Sequence, residues 1–205
     1  MARGTFITLE GPEGGGKTTQ GHLLAERLRA SGIEVVVTRE PGGDPLAEGI
    51  RSLVQNPELD LVIQAELLLF LAARAQHVER VVRPALQAGK VVVCDRFADS
   101  TVAYQSYGAG LPLEDVRRIN AFATGGLEAD LTLLLDLDVS LGLGRQGEWT
   151  RMELRGVEFH QRVRAGFLAL AQAYPERFRV IDASRPVEAV AEAMWECVAP
   201  RLGQL

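Results

Sequence analysis

Five short apolar runs recur along the chain, and segments with helical spacing of apolar residues separate them. The runs are continuous rather than alternating, which is typical of strands covered on both faces. Strands that alternate with helices indicate an α/β domain with a parallel sheet, and ligands gather at the carboxyl ends of such strands. The predicted strands are Phe6–Leu9, Val35–Thr38, Val91–Cys94, Leu131–Leu135 and Arg179–Ile181.

The segments between the runs carry leucine, valine and phenylalanine at helical spacing, with glycine or proline at their ends. The longest pattern, residues 59–82, predicts one helix that Pro84 kinks or restarts. Shorter helices are expected to start near Ser100, Leu111 and Ser140. The remaining predicted helices are Thr19–Ala30, Pro45–Leu53, Glu153–Ala173 and Pro186–Leu202.

The size and charge of the chain favour a single globular domain and argue against a nucleic-acid-binding protein. A length of 205 residues with 47% hydrophobic residues favours one globular domain with one core. A net charge of −5 argues against a dedicated nucleic-acid binder, which would usually carry a basic excess. The apolar runs are too short to span a membrane, and the first strand leaves no room for a signal peptide. We therefore expect a cytoplasmic protein.

The strongest motif follows the first predicted strand. The run Gly11-Pro12-Glu13-Gly14-Gly15-Gly16-Lys17-Thr18 fits the phosphate-binding P-loop pattern, and Thr19 opens the helix after it. The glycines let backbone N–H groups point at an anion, to which the helix N-terminus adds positive potential. Lys17 can reach the outer phosphates of a nucleotide, and the Thr18 hydroxyl can hold Mg²⁺.

A second cluster lies where the third strand meets its loop. The Arg96 guanidinium suits phosphate oxygens, and Asp95 can orient it or act on Mg²⁺ through water. Two further groups combine ring, hydroxyl, amide and guanidinium groups that could read a base, although each alone also fits an ordinary amphipathic helix. They are Phe70 with Arg74, four apart on one helix, and Ser100, Thr101, Tyr104 and Gln105.

Taken together, the motifs resemble those of the bacterial thymidylate kinases, a family of P-loop nucleoside monophosphate kinases. The R-E-P-G-G, A-A-R and D-R-x-x-x-S-T-x-A-Y-Q patterns carry the resemblance more than the P-loop does. They occur here in family order as Arg39–Gly43, Ala72–Arg74 and Asp95–Gln105.

The resemblance implies a fold and an organisation. It implies a three-layer P-loop NTPase fold whose five parallel strands lie in the order 2-3-1-4-5, with helices on both faces. Residues 1–205 would form one domain with a short lid at about 145–153. The chain would act on ATP and dTMP with Mg²⁺ and form a homodimer, without nucleic acid or membrane partners.

The resemblance also implies residue roles. Lys17 and the loop Gly11–Thr19 would hold ATP, with Thr18 and, through water, Asp95 at the metal. Glu13 would lie near the deoxyribose and the reacting phosphates. Arg96, with Asp95 and Arg51, would bind the acceptor phosphate, and Phe70 and Arg74 would stack on thymine and read its carbonyl. Ser100, Thr101, Tyr104 and Gln105 would complete that pocket, while Arg145 and Arg185 would flank adenine.

One departure concerns the arginines that stabilise transferred charge. The family's lid usually carries several arginines before D-R-[IF]-E, but this chain has Gln146–Trp149 and then Thr150-Arg151-Met152-Glu153. Gly14 also stands where other members carry an arginine. Arg151 is therefore the predicted charge-stabilising residue, with Arg145 as the alternative. Three rival functions stay open: a kinase for another nucleotide or nucleoside, a GTP switch, and an inactive relic.

Overall fold

The computed structural model describes residues 3–145 and 150–202. Its centre is a five-stranded parallel sheet in the order β2-β3-β1-β4-β5, which confirms the expected topology. The strands are β1 (Phe6–Glu10), β2 (Val35–Arg39), β3 (Val91–Asp95), β4 (Leu131–Asp136) and β5 (Phe178–Asp182).

Helices cover both faces of the sheet, and short π- and 3₁₀-helical segments connect some of them. The α-helices are α1 (Lys17–Ala30), α2 (Pro45–Gln55), α3 (Ile63–His77), α4 (Arg83–Gln87), α5 (Ala98–Thr101), α6 (Leu113–Thr124), α7 (Val139–Gly144), α8 (Val157–Ala173) and α9 (Val187–Leu202). The other segments are π-helical at Val78–Val82 and Val102–Gly108 and 3₁₀-helical at Glu153–Arg155.

Successive side chains along each strand point to opposite faces of the sheet, so the core has one part on each face. Ile7, Leu9 and Leu133 point to the face covered by α1 and α9, where Leu24 and Met194 meet them. The opposite face takes the intervening residues, which pack against α4, the first π-helical segment, α3, α6 and α8. Because both faces are buried, the strands read as continuous apolar runs.

Two helices begin four residues later than the sequence predicts, whereas the other predicted starts lie within two residues of the observed ones. The helix predicted from residue 59 begins at Ile63. Residues 56–59 form a turn instead, in which Asn56 accepts the Glu58 N–H with its side chain at 2.9 Å and the Leu59 N–H with its carbonyl at 3.3 Å. The helix predicted from residue 153 begins at Val157, because Gly156 has φ 80° and ends the preceding 3₁₀ turn.

The predicted kink before Pro84 takes the form of the π-helical segment Val78–Val82. Proline has no N–H to donate, and its ring crowds the carbonyl four residues earlier, so the backbone widens there. Among the helices that the structure describes, none is long and apolar enough to cross a membrane.

Candidate active site

The candidate site is a cleft of about 590 Å³ at the carboxyl ends of the central strands. Parallel pairing sets Leu9 of β1 beside Asp95 of β3, so the loops after both strands open at the same edge. The cleft is lined by Glu13, Gly14, Gly16, Lys17, Thr18, Thr19, Arg39, Glu40, Pro41, Arg51, Gln55, Phe70, Arg74, Asp95, Arg96, Ser100, Thr101, Tyr104, Gln105, Thr150 and Met152.

The glycine-rich loop joins β1 to α1 and forms one end of the cleft. Gly16 has φ 78° and caps α1, whose first turn holds no acidic residue. The first N–H groups of α1 therefore present positive potential that no carboxylate of that turn offsets. The Lys17 ammonium donates to the carbonyls of Gly11 and Pro12, at 3.2 and 2.7 Å.

Close backbone contact explains the glycine at position 14. Its φ is 70°, and a Cβ there would lie 2.2 Å from the Gly142 carbonyl oxygen of α7. Any side chain at position 14 would clash with that backbone atom. The loop arginine found in other family members therefore has no room in this conformation.

Arg96 faces the glycine loop from the end of β3. Its guanidinium donates to the Gly11 carbonyl at 3.0 Å, the Ser100 hydroxyl at 3.1 Å and the Tyr104 hydroxyl at 3.1 Å. The Glu13 carboxylate lies 2.8 Å from it. The pKa of Arg96 is raised: burial opposes the charge, but Glu13, Tyr104, Asp95 and Glu10 together outweigh that effect and keep the guanidinium charged.

The backbone of Arg96 is held in an uncommon conformation. Its φ is 68°, the only positive value at a non-glycine residue in the described part of the chain. Such a conformation costs about 1–3 kcal/mol and persists where surrounding contacts enforce it. Glu10, buried at the end of β1, accepts the Phe97 N–H at 2.8 Å and the Ser100 hydroxyl at 2.5 Å. These bonds fix the turn that directs Arg96 into the cleft.

Charges around Glu13 keep it ionised. Burial alone would raise the pKa of Glu13, but Arg96 and Lys17 lower it to about 2. The Tyr104 hydroxyl donates to the same carboxylate at 2.7 Å. The carboxylate therefore stays negative and holds the two cations on either side of the gap between the loop and β3.

A hydroxyl and a carboxylate meet beside the loop. Thr18 donates to Asp95 at 2.6 Å. The described residues contain no cluster of three histidine, cysteine or acidic side chains that could hold a metal alone. Two oxygen ligands that leave room for water and phosphate suit Mg²⁺, which keeps several waters in nucleotide sites. The residues present therefore fit Mg²⁺.

The other end of the cleft is shaped by Phe70 and Arg74 of α3. The buried Arg74 guanidinium donates to Glu40 at 2.7 Å, Thr101 at 2.6 Å, Asn120 at 2.8 Å and the Phe97 carbonyl at 3.0 Å. These bonds use four of its five N–H groups, so one is left for a ligand. Phe70 is half-buried at the same wall.

The structure brings most of the predicted residues together, but three predicted arginines do not line the cleft. Arg145 lies across the glycine loop, 3.3 Å from the carbonyls of Gly14 and Ala183. Arg185 is exposed at the end of β5. Arg151 pairs with the buried Glu66 and donates to the Val54 carbonyl at 3.1 Å. The part of the predicted lid at 146–149 lies outside the described residues.

Sequence reasoning missed several residues at the site. Arg39 and Glu40 line the cleft, at the edge of the sheet where the R-E-P-G-G motif after β2 was expected, although no role was predicted for either residue. Asn120 and Glu66 hold Arg74 and Gln105, respectively. They lie in helical segments with no motif, so only their burial in the folded chain reveals them.

Comparison with known proteins agrees with the geometry. The family model described as "Thymidylate kinase" matches residues 9–194. The chain belongs to the thymidylate kinase family. The thymidylate kinase of Deinococcus radiodurans is 52% identical over 204 residues, which is 98% of this chain and 99% of that protein. That of Pseudomonas fluorescens Pf-5 is 51% identical over 203 residues, 97% of this chain and 96% of that protein.

A solved structure agrees with the family fold. The crystal structure of thymidylate kinase from Ehrlichia chaffeensis superposes with a TM-score of 0.82 at 35% identity. The superposition covers 96% of this chain and 99% of the Ehrlichia chaffeensis chain. Family membership and the P-loop NTPase fold thus account for the glycine loop at the carboxyl end of β1.

Proposed function

We propose that the chain transfers the γ-phosphoryl group of ATP to dTMP, giving ADP and dTDP. The observation that carries the proposal is the position of Arg96. Its guanidinium is 3.0 Å from the carbonyl of Gly11, so it faces the same gap as the P-loop. One cleft thereby offers cationic groups to two phosphate-bearing ligands.

The reaction needs alignment more than proton transfer. The acceptor is a phosphate oxygen that is already ionised at neutral pH, so no strong general base is required. Two anionic nucleotides repel each other, and Lys17 and Arg96 offset that charge at the point of transfer. Thr18 and, through water, Asp95 would hold Mg²⁺, which would supply further charge neutralisation. Glu13 keeps both cations in place between the substrates.

The base pocket favours a pyrimidine. Phe70 offers a ring for stacking, Arg74 keeps one N–H to donate to a base carbonyl, and Gln105 lines the same wall. We assign the thymine of dTMP to this end and ATP to the glycine loop. Arg145 and Arg185 stay candidates for adenine. Arg151 stays the predicted residue for transferred charge, although it pairs with Glu66 in this structure.

A panel of acceptors tests the proposal. Coupled ADP release is measured with dTMP, dUMP, dCMP, dGMP and AMP, with and without Mg²⁺. We expect Mg²⁺-dependent turnover with dTMP as the best acceptor, although the single methyl that distinguishes thymine from uracil yields only a modest preference. Preference for another monophosphate would support the rival kinase reading, and hydrolysis of nucleotide without an acceptor would support a switch.

The pH dependence of ATP capture follows from Lys17. Burial and the nearby Arg96 lower the pKa of Lys17 to about 8, so the ammonium is charged below that pH and neutral above it. Because phosphate binding needs the charge, kcat/KM for ATP should fall as the pH rises through about 8. A flat profile up to pH about 9.5 would contradict this role.

A control is needed because a second group titrates nearby. Burial and the Asp99 charge raise the pKa of Glu10 to about 8 as well. The Glu10→Gln variant removes that ionisation and keeps an acceptor for the Phe97 N–H. The fall in kcat/KM should persist in E10Q if Lys17 causes it, and its loss in E10Q would assign it to Glu10.

We also propose a homodimer formed through the α2–α3–α6 face. The longest apolar pattern of the sequence does not supply this face throughout, because its Leu67, Val78 and Val82 are buried inside the chain. The exposed apolar side chains instead include Leu68, 60% exposed, and Phe122, 91% exposed. Leu53 and Val62 are exposed on the adjoining α2 and at the start of α3. An apolar face of this kind marks an interaction surface.

Sedimentation tests the dimer. At micromolar concentration we expect the mass of two chains, and the Phe122→Glu variant should shift the population to one chain because it buries a charge at the interface. The matched control is Val180→Glu, at a side chain 52% exposed on the edge strand β5. A wild-type mass of one chain would refute the proposal.

A further inference from the structure

Glu66 is a buried carboxylate that the mechanism above does not use. It lies in the first turn of α3 and is fully shielded from solvent. Uncompensated burial of a carboxylate is costly, so its partners must offset the charge. Both of its oxygens are engaged by side chains from other segments of the chain.

One oxygen is held by two cations. Oε2 of Glu66 accepts from the guanidinium groups of Arg151 and Arg155, the latter at 2.5 Å. Arg155 also lies over the Phe159 ring, 5.0 Å from its centroid. Two guanidinium groups on one oxygen fix the position of the carboxylate and balance its charge.

The other oxygen is aimed at the base pocket. Oε1 of Glu66 accepts the Gln105 side-chain amide through Nε2, at 2.9 Å. A carboxylate between two arginines has no hydrogen to donate, so it can face only the nitrogen end of an amide. The hydrogen bond to Glu66 therefore determines the orientation of the Gln105 amide. Shape alone would not determine it, because the oxygen and nitrogen ends of an amide are nearly the same size. The carbonyl Oε1 of Gln105 is then the end that remains for a ligand.

We propose that Glu66 is a specificity-determining positioning residue that selects the acceptor base through the orientation of Gln105. The inference rests on the proposed function, because it concerns the pyrimidine pocket of that site. A carbonyl acceptor at Gln105 matches the N3–H donor of thymine or uracil. Cytosine presents an acceptor at N3, so two acceptors would meet and cytosine would be rejected.

Arg74 adds to this selection. Its remaining N–H can donate to O4 of thymine, whereas cytosine carries an amino donor at that position. Arg74 is fixed by its own contacts, but Gln105 could turn its amide over at little cost without Glu66. A site whose polar groups are left unpaired by the wrong base rejects it strongly. Glu66 therefore keeps the Gln105 carbonyl facing the base, whereas the Arg74 donor is held by its own contacts.

The test is the ratio of kcat/KM for dTMP to kcat/KM for dCMP in the Glu66→Gln variant. In this variant the two arginines still require an acceptor, so the new carbonyl faces them and the new amino group faces Gln105, whose amide then turns its carbonyl away from the ligand. We expect the ratio to fall roughly 10–100-fold, while KM for ATP stays within about threefold of the wild type. An unchanged ratio in an active E66Q protein would overturn the proposal.

The matched control is Arg155→Met. This variant removes one partner of the same Glu66 oxygen but leaves the carboxylate that faces Gln105. The pyrimidine ratio should stay within about threefold of the wild type. A loss of the ratio equal to that of E66Q would assign the effect to general loosening of the pocket and overturn the proposed role.

A measurement on the wild-type protein does not depend on the folding of E66Q. The side-chain amide of Gln105 is observed by ¹⁵N NMR with dTMP bound, and its resonances are assigned by their loss in Gln105→Met. We expect one Nε2 proton to lie downfield and to be protected from exchange with water. Resonances like those of a free glutamine would overturn the proposal. Absence of wild-type turnover with dTMP would instead defeat the proposed function itself.

Discussion

Replacement of Lys17 by methionine should lower kcat roughly 10³-fold or more, because the ammonium is the loop's only side-chain cation at the transferred phosphate. Methionine keeps a similar length and apolar stem but no charge. The Gly11 and Pro12 carbonyls lose the Lys17 donor, but the methionine side chain fills the space that the lysine stem leaves. The fold should therefore survive, and steady-state rates with saturating dTMP and ATP measure the effect.

The chain offers a close control for this variant, because its two lysines are Lys17 and Lys90. Lys90 pairs with Glu34 on the surface at 2.8 Å and lies away from the cleft. The K90M protein loses the same charge and should keep wild-type rates. If K17M and K90M turned over alike, the P-loop would not be the phosphate donor site.

Replacement of Arg96 by methionine should lower kcat/KM for dTMP roughly 10²–10⁴-fold while KM for ATP changes far less. Arg96 supplies the cation opposite the P-loop, and no other guanidinium reaches the Gly11 carbonyl in the described part of the chain. The substitution also removes the guanidinium that pairs with Glu13, and the loss of one partner of a buried ion pair costs about 3–5 kcal/mol.

A double variant separates chemistry from stability. In R96M/E13Q the unpaired carboxylate is gone, so the unfolding free energy should recover while dTMP turnover stays low. The control variant is R27M, which breaks the surface ion pair between Arg27 and Glu192 outside the site. Its turnover with dTMP should stay at the wild-type rate. Recovery of activity along with stability in R96M/E13Q would show that Arg96 has only a structural role.

The fold was predictable because its signals are local. Each strand is a continuous apolar run, and a parallel sheet follows from the alternation of such runs with helices. The predicted helix start at residue 59 was wrong, because apolar spacing does not reveal the turn that the Asn56 side chain forms with the Glu58 N–H. The P-loop and Arg96 were likewise visible, because each follows a strand directly and carries its chemistry in adjacent residues.

The rest of the site depends on contacts between distant segments. Arg151 could be chosen by its motif, but its pairing with Glu66, 85 residues away, could not be read from spacing. The same holds for Asn120, which reaches Arg74 across 46 residues. Glu66 sits in an apolar run where an acidic residue looks like a solvent-facing position, yet it is fully buried. Burial of polar groups is a property of the packed chain.

A bisubstrate ligand can show whether one cleft holds two anionic nucleotides end to end. The ligand is adenosine joined to thymidine through their 5′ ends by a polyphosphate chain, and its inhibition is measured against each substrate in turn. We expect one molecule of the ligand to bind per chain and to compete with both ATP and dTMP. Competition with only one substrate, while the other still binds, would contradict it.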